Sequence, residues 1–225
     1  SKMPTYGKGE NAQADALFNQ LVNTDNLNAA NGFASSNGNI YITTNQTSEN
    51  AGVNISGEVK NFGTGNIEVR NIGTDGINIA GNLSNSNGLV KLNNNNGDLN
   101  ISGNVRNNGT TQIFNVPAEG QEVTFDDNGI KYTYKVDTKS GLNITGNIDT
   151  KGKTTITNTG DNGLNISGTV NNQGELNIQN GVAGNSDSAK TRNDRMAALN
   201  ISGKVSNDGT ANITNYAAGG LNVAA

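Results

Sequence analysis

An all-β chain coiled into a parallel β-helix is expected from three features of these 225 residues. A short phrase recurs at a nearly fixed period, each period carries three short apolar runs, and Asn residues stand at constant offsets from two of those runs. The phrase first reads Val53-Asn54-Ile55-Ser56-Gly57 and returns from Ile77, Leu99, Leu142, Leu164 and Leu199, with a seventh copy opening at Leu221. The intervals are 24, 22, 43, 22, 35 and 22 residues, so the base period is 22 and two intervals hold insertions. Repeats of this length belong to stacked architectures, in which no unit buries its apolar face alone.

The elements follow in chain order. Residues 1–30 form an N-terminal segment in which Asn11 to Val22, bearing Ala and Leu, reads as a short helix serving as a cap or linker. The β-helix then occupies residues 31–225, with its first coil near Ile40 to Thr43. In each period the phrase supplies one strand, its first and third residues sharing a face. Two residues past the phrase Gly stands a second apolar position: Val59, Leu83, Val105, Ile148, Val170 or Val205. The third run is an alternating pair or single, such as Ile67/Val69, Val90/Leu92, Ile113, Ile156, Leu176/Ile178 and Ile213. Alternation over so few residues suits strands and is too short for a helix. Three strands per coil, about eight coils and a rise of about 4.8 Å predict a rod near 40 Å.

Asn accounts for 44 residues and Gly for 30. One Asn set follows the second strand: Asn61, Asn85, Asn107, Asn172 and Asn207, with Thr150 in the equivalent place. Another follows the third strand: Asn71, Asn94, Asn115, Asn158, Asn180 and Asn215. Stacked at corners, these amides are expected to form axial ladders, helped by the tolerance of Asn for the left-handed conformation. The phrase Asn lies between two inward residues and is expected to face solvent.

Two insertions interrupt the period. Residues 117–138 contain Glu122 to Val136, alternating on both sides of Asn128-Gly129, the strongest short hairpin signal. A two-residue turn sets Phe125 opposite Tyr132 and Val123 opposite Tyr134, with Asp126 facing Lys131 and Glu122 facing Lys135. The aromatic face of Phe125, Tyr132 and Tyr134 is a candidate binding surface, or else it packs on the flank of the rod. Residues 181–198 read as a surface loop whose Lys190, Arg192 and Arg195 are candidate contacts for an acidic glycan.

Chemistry is narrowly bounded. With no His and no Cys, there is no Cys/His zinc site, Ser-His-Asp triad, thiol nucleophile or disulfide. A net charge of −4 lacks the basic footprint of a nucleic-acid binder, and no apolar run is long enough to span a membrane. Asp75, Asp98 and Asp161 fall in the corner before the phrase strand, where turn chemistry alone explains them. No enzyme and no cofactor is expected. Nine Asn-x-Ser/Thr sequons occur, and five of them, at Asn54, Asn100, Asn143, Asn165 and Asn200, sit on the outward rank as candidate glycosylation sites.

The phrases Gly-Leu-Asn-Ile-Ser-Gly-x-Val-x-Asn and Thr-Thr-Ile-Thr-Asn-x-Gly resemble the repeats of filamentous-haemagglutinin-like adhesins of Gram-negative bacteria. They are most similar to the high-molecular-weight adhesins of the Haemophilus type, over residues 38–225. That resemblance implies a right-handed parallel β-helix, secreted through an outer-membrane partner to the bacterial cell surface, where it serves virulence by binding host cells. It implies Asn glycosylation in some members and transfers no binding residues. The chain is thus expected to be an internal fragment of a cell-adhesion protein, contacting a host cell-surface glycan or protein or spacing the binding tip. Two other expectations stand beside it: self-association with another copy, and a polysaccharide-processing β-helix.

Overall fold

The structure, a computed structural model, describes residues 5–6, 21–24, 27–29, 32–44 and 51–224. Within them lie three eight-stranded sheets, each interior strand pairing in parallel with its counterparts in the coils before and after, plus one two-stranded hairpin. The chain visits the three sheets in turn, which makes the fold a parallel β-helix. The phrase residues lie in one sheet in strict register: Leu99 pairs with Ile77 and Leu142, and Asn100 with Asn78 and Asn143. Seven steps of about 4.8 Å give a stack of about 34 Å.

The stack begins earlier in the chain than residue 31. Leu21–Thr24 pairs with Tyr41–Thr44, and Leu27–Ala29 pairs with Val53–Ile55. The N-terminal helix expected at Asn11 to Val22 therefore does not reach its C-terminal end, because Leu21 and Val22 are in a strand. Its remainder lies outside the described residues.

Alternation explains the core. The long strands read inward at every second residue, so Ile67 and Val69, then Val90 and Leu92, point into the coil. Together with Ile79, Leu83, Leu99, Ile101, Ile113, Ile144 and their equivalents they form one continuous apolar cluster, nearly all of it fully buried. Each such side chain contributes roughly 1.5–3 kcal/mol relative to exposure. No coil buries these faces by itself; the neighbours above and below complete them.

The two insertions leave the rod at the same corner, after Asn115 and after Asn180, with one coil ending at Asn158 between them. In the first, Glu122–Asp127 and Ile130–Lys135 form the expected antiparallel hairpin, with all six expected pairs from Glu122↔Lys135 to Asp127↔Ile130. Asn128 is the one non-glycine among the described residues with positive φ, at 52°, followed by Gly129 at 84°, as a two-residue hairpin turn requires. The second insertion departs from the expected loop. It contains a nine-residue helix, α1, Asp187–Arg195. Its sequence is polar all round, so periodicity hides it, but its ends are marked. Ser186 accepts the Ala189 N–H as N-cap, Asp187 lies in the first turn, and Arg192 and Arg195 lie in the last.

Candidate functional site

The Asn residues form the two expected corner ladders and a third along the outward rank; the corner residues differ from expectation in their orientation and conformation. The residues at the ends of the second and third strands point inward, because each stands two positions after an inward apolar residue. All but Asn207 and Asn215, in the last coil, are buried inside the corners, and none is left-handed. What selects Asn there is hydrogen bonding. Asn71 donates to Asn94, Asn94 to Asn115, Asn115 to Asn158, Asn158 to Asn180 and Asn180 to Asn215, at 2.8–2.9 Å throughout. The same amides close their own corners: Asn158 Oδ1 accepts the Gly160 N–H and its Nδ2 donates to the Gly160 carbonyl. A buried amide left unpaired would be costly, and here both ends are occupied.

The second inner ladder runs Asn61 to Asn85 to Asn107 and then breaks at Thr150. Asn107 Nδ2 turns to the buried Thr154 Oγ1 at 2.9 Å, and that hydroxyl donates to Thr150 Oγ1 at 2.8 Å. Thr111 and Thr154 replace apolar residues in the adjoining core stack, and both accept from ladder amides. Ladder pairing resumes from Asn172 to Asn207 at 2.7 Å.

The outward rank is itself a ladder, not simply a solvated row. Asn78 donates to Asn54, Asn100 to Asn78, Asn143 to Asn100, Asn165 to Asn143, Asn200 to Asn165 and Asn222 to Asn200, at 2.8–3.1 Å. At the candidate glycosylation positions Asn100, Asn143, Asn165 and Asn200, the nitrogen that would carry a sugar is a donor in this ladder, and the side chains are half-buried. Asn54 Nδ2 donates to Asp75 Oδ2 at 3.3 Å. The other corner aspartates have structural partners too: Asp98 accepts the Gly141 N–H at 2.9 Å, and Asp161 accepts from Thr138 at 2.8 Å.

On the knob made by the insertions, the hairpin is divided between root and tip. Val123 and Val136 are buried at the root, and Tyr134 is half-buried with its hydroxyl 3.3 Å from Asn96 Nδ2. Toward the tip, Phe125 stacks on Tyr132 with ring centroids 5.1 Å apart, and Tyr134 meets Phe125 edge-on. Tyr132 is 44% exposed and Ile130 59%, so part of the aromatic face packs on the rod and part stays open.

The candidate cations do not form one free patch. Arg192 and Arg195 both pair with Glu119 at the start of the hairpin insertion, and Arg195 also pairs with Asp161 at 3.1 Å. Hydrogen bonding to Arg192 holds the Glu119 carboxyl below its ordinary value of 4.5, against the opposing effect of its partial burial. Lys190 is exposed on α1. The helix is also anchored by Asn193, whose side chain accepts the Val182 N–H at 2.8 Å and donates to the Val182 carbonyl at 2.9 Å. Glu119, Val182, Ser188, Ala189 and Arg192 line a recess of about 440 Å³ between the two insertions. Sequence pattern identified each insertion separately but not this bridge, which joins residues 73 and 76 positions apart.

Among the described residues no helix is long and apolar enough to cross a membrane. No family model, curated protein or solved structure matches the chain.

Proposed function

We propose that this chain is a structural and adhesive segment of a large, secreted bacterial surface adhesin, with the β-helix supplying reach and the knob supplying contact. The observation that carries this reading is the bridged pair of insertions. A rod of self-satisfied coils carries a preorganised protrusion with a partly exposed Phe125–Tyr132 stack, and rigid aromatic area at a tip is the kind of surface that anchors recognition at low entropic cost. The partner in this proposal is a host cell-surface glycan or protein. The work is non-enzymatic, and export through an outer-membrane partner belongs to the same proposal.

Binding of the purified chain to host cells and to a glycan array, with and without residues 117–138, tests it. Loss of binding on removing those residues supports contact through the hairpin. Undiminished binding excludes the hairpin, and no binding by either chain leaves a spacer. The half-exposed outer ladder favours one second reading, self-association through many weak polar contacts. Aggregation of coated beads without host cells would select it.

A further inference from the structure

Asn-Gly and Asp-Gly pairs are chemically fragile. The deprotonated glycine nitrogen attacks the preceding side-chain Cγ, a C–N bond forms, and the Cγ–Nδ2 bond breaks with loss of ammonia; at Asp the carboxyl reacts in its protonated form, the Cγ–OH bond breaks and water leaves. Water then opens the cyclic imide to aspartate or isoaspartate. The described residues contain nine such pairs: Asn-Gly at Asn37, Asn87, Asn96, Asn108, Asn128, Asn162 and Asn180, and Asp-Gly at Asp75 and Asp208. In the eight from Asp75 to Asp208, the glycine N–H that would have to be deprotonated is donated to an acceptor.

In seven of them the acceptor lies outside the pair. Ladder side chains hold three: Asn85 takes Gly88 at 3.2 Å, Asn107 takes Gly109 at 3.0 Å and Asn207 takes Gly209 at 3.2 Å. Backbone carbonyls hold Gly76, Gly163 and Gly181 at 2.8–3.2 Å. On the hairpin, Asp126 Oδ1 takes Gly129 at 2.9 Å. At Asn96 the acceptor is that residue's own Oδ1, which leaves this pair outside the seven. A bonded N–H is a poorer acid toward solvent hydroxide and a misdirected nucleophile. An acceptor that is a carboxylate opposes deprotonation further, since the resulting anion would sit beside a negative charge.

We propose that these bonds lock the seven glycine nitrogens out of reaction, so that the folded chain resists a self-modification to which its own sequence inclines it. Asp126 is the lock for Asn128, and the ladder residue Asn107 is the lock for Asn108. Within the ladders, one side chain thus joins coil to coil and protects the adjoining peptide bond. Conversion at Asn128 would add charge beside Asp126 and Asp127. As isoaspartate it would also lengthen a two-residue turn that sets the register of the aromatic face.

Peptide mapping by mass spectrometry after incubation in mildly alkaline buffer tests this on the full chain. Native chain is expected to convert at the five locked Asn-Gly pairs about tenfold more slowly than the same chain in urea. The two Asp-Gly pairs, whose carboxyl must be protonated to lose water, are compared in the same way in mildly acidic buffer. Asp126→Ala, an exposed substitution away from the rod, is expected to raise conversion at Asn128 about fivefold, the scale of one hydrogen bond, while Asn162 in the same molecule is unchanged. Asp126→Asn, which keeps an acceptor oxygen, should stay within about twofold of the parent. Equal rates in native and unfolded chain, no rise in Asp126→Ala, or an Asn variant as fast as the Ala variant would each overturn the lock.

Discussion

The inner and outer Asn ladders use one side chain at one axial spacing in opposite surroundings. Inner amides are buried, donate from each coil to the next and also satisfy their own corners; Asn115 accepts from Asn94 and donates to both Asn158 and Ser140. Outer amides are half-exposed and donate back to the preceding coil, as Asn143 does to Asn100. Water can replace a lost partner outside but not inside. The difference teaches that a ladder's contribution is set less by its hydrogen bonds than by what would meet them if they broke.

The largest break in that comparison is Asn115→Ala. It strands the Asn94 donor and the Asn158 acceptor in the interior and is expected to cost about 2–4 kcal/mol, read as a lower urea midpoint. Unchanged stability would show that the inner ladder is incidental. Thr150→Asn sharpens the comparison from the other side. An amide there would continue the line from Asn107 to Asn172 and is expected to stabilise by about 1 kcal/mol, provided that Thr154 still receives Asn107. Outside, Asn143→Ala should cost only about 0.5 kcal/mol, since solvent reaches its neighbours.

The smallest effect on global stability belongs to the bridge between insertions. Arg195→Ala removes half-exposed ion pairs and should change the urea midpoint little, while limited proteolysis within residues 181–198 speeds up. The bridge also sets a pH dependence. Because the folded Glu119 carboxyl lies below its unfolded value, its contribution is complete above 4.5 and is lost as pH falls through the lowered value. Acid should therefore loosen the insertions before the coils, seen as earlier proteolysis there at low pH. Glu119→Gln should flatten that dependence.

Much of this was legible in the sequence because local rules and tertiary contacts agree. Leu99-Asn100-Ile101 pairs in register with its repeats because the inward positions are apolar in every coil. The hairpin register follows from Asn128-Gly129 and the opposed charges. Other features escaped for physical reasons. The constant offsets of the inner Asn residues announce their axial ladders, but tolerance of the left-handed conformation is not what selects them: counting two residues on from Val59 or Val69 puts Asn61 and Asn71 on the inward face. Helix α1 has no apolar stripe, so only Ser186 and the terminal charges announce it. The bridge from Glu119 to Arg192 and Arg195 could not be read along the chain. It exists because two insertions leave one corner two coils apart, a fact of stacking and not of local sequence.

Side-chain amide hydrogen exchange, followed residue by residue in NMR spectra of the native chain, separates the inner ladders from the outer one. Strong protection is expected for the Nδ2 hydrogens of Asn94, Asn115 and Asn158, and fast exchange for those of Asn100, Asn143 and Asn165, although both sets are hydrogen-bonded along the axis. Equal protection of the two sets, or faster exchange inside than outside, would contradict this expectation.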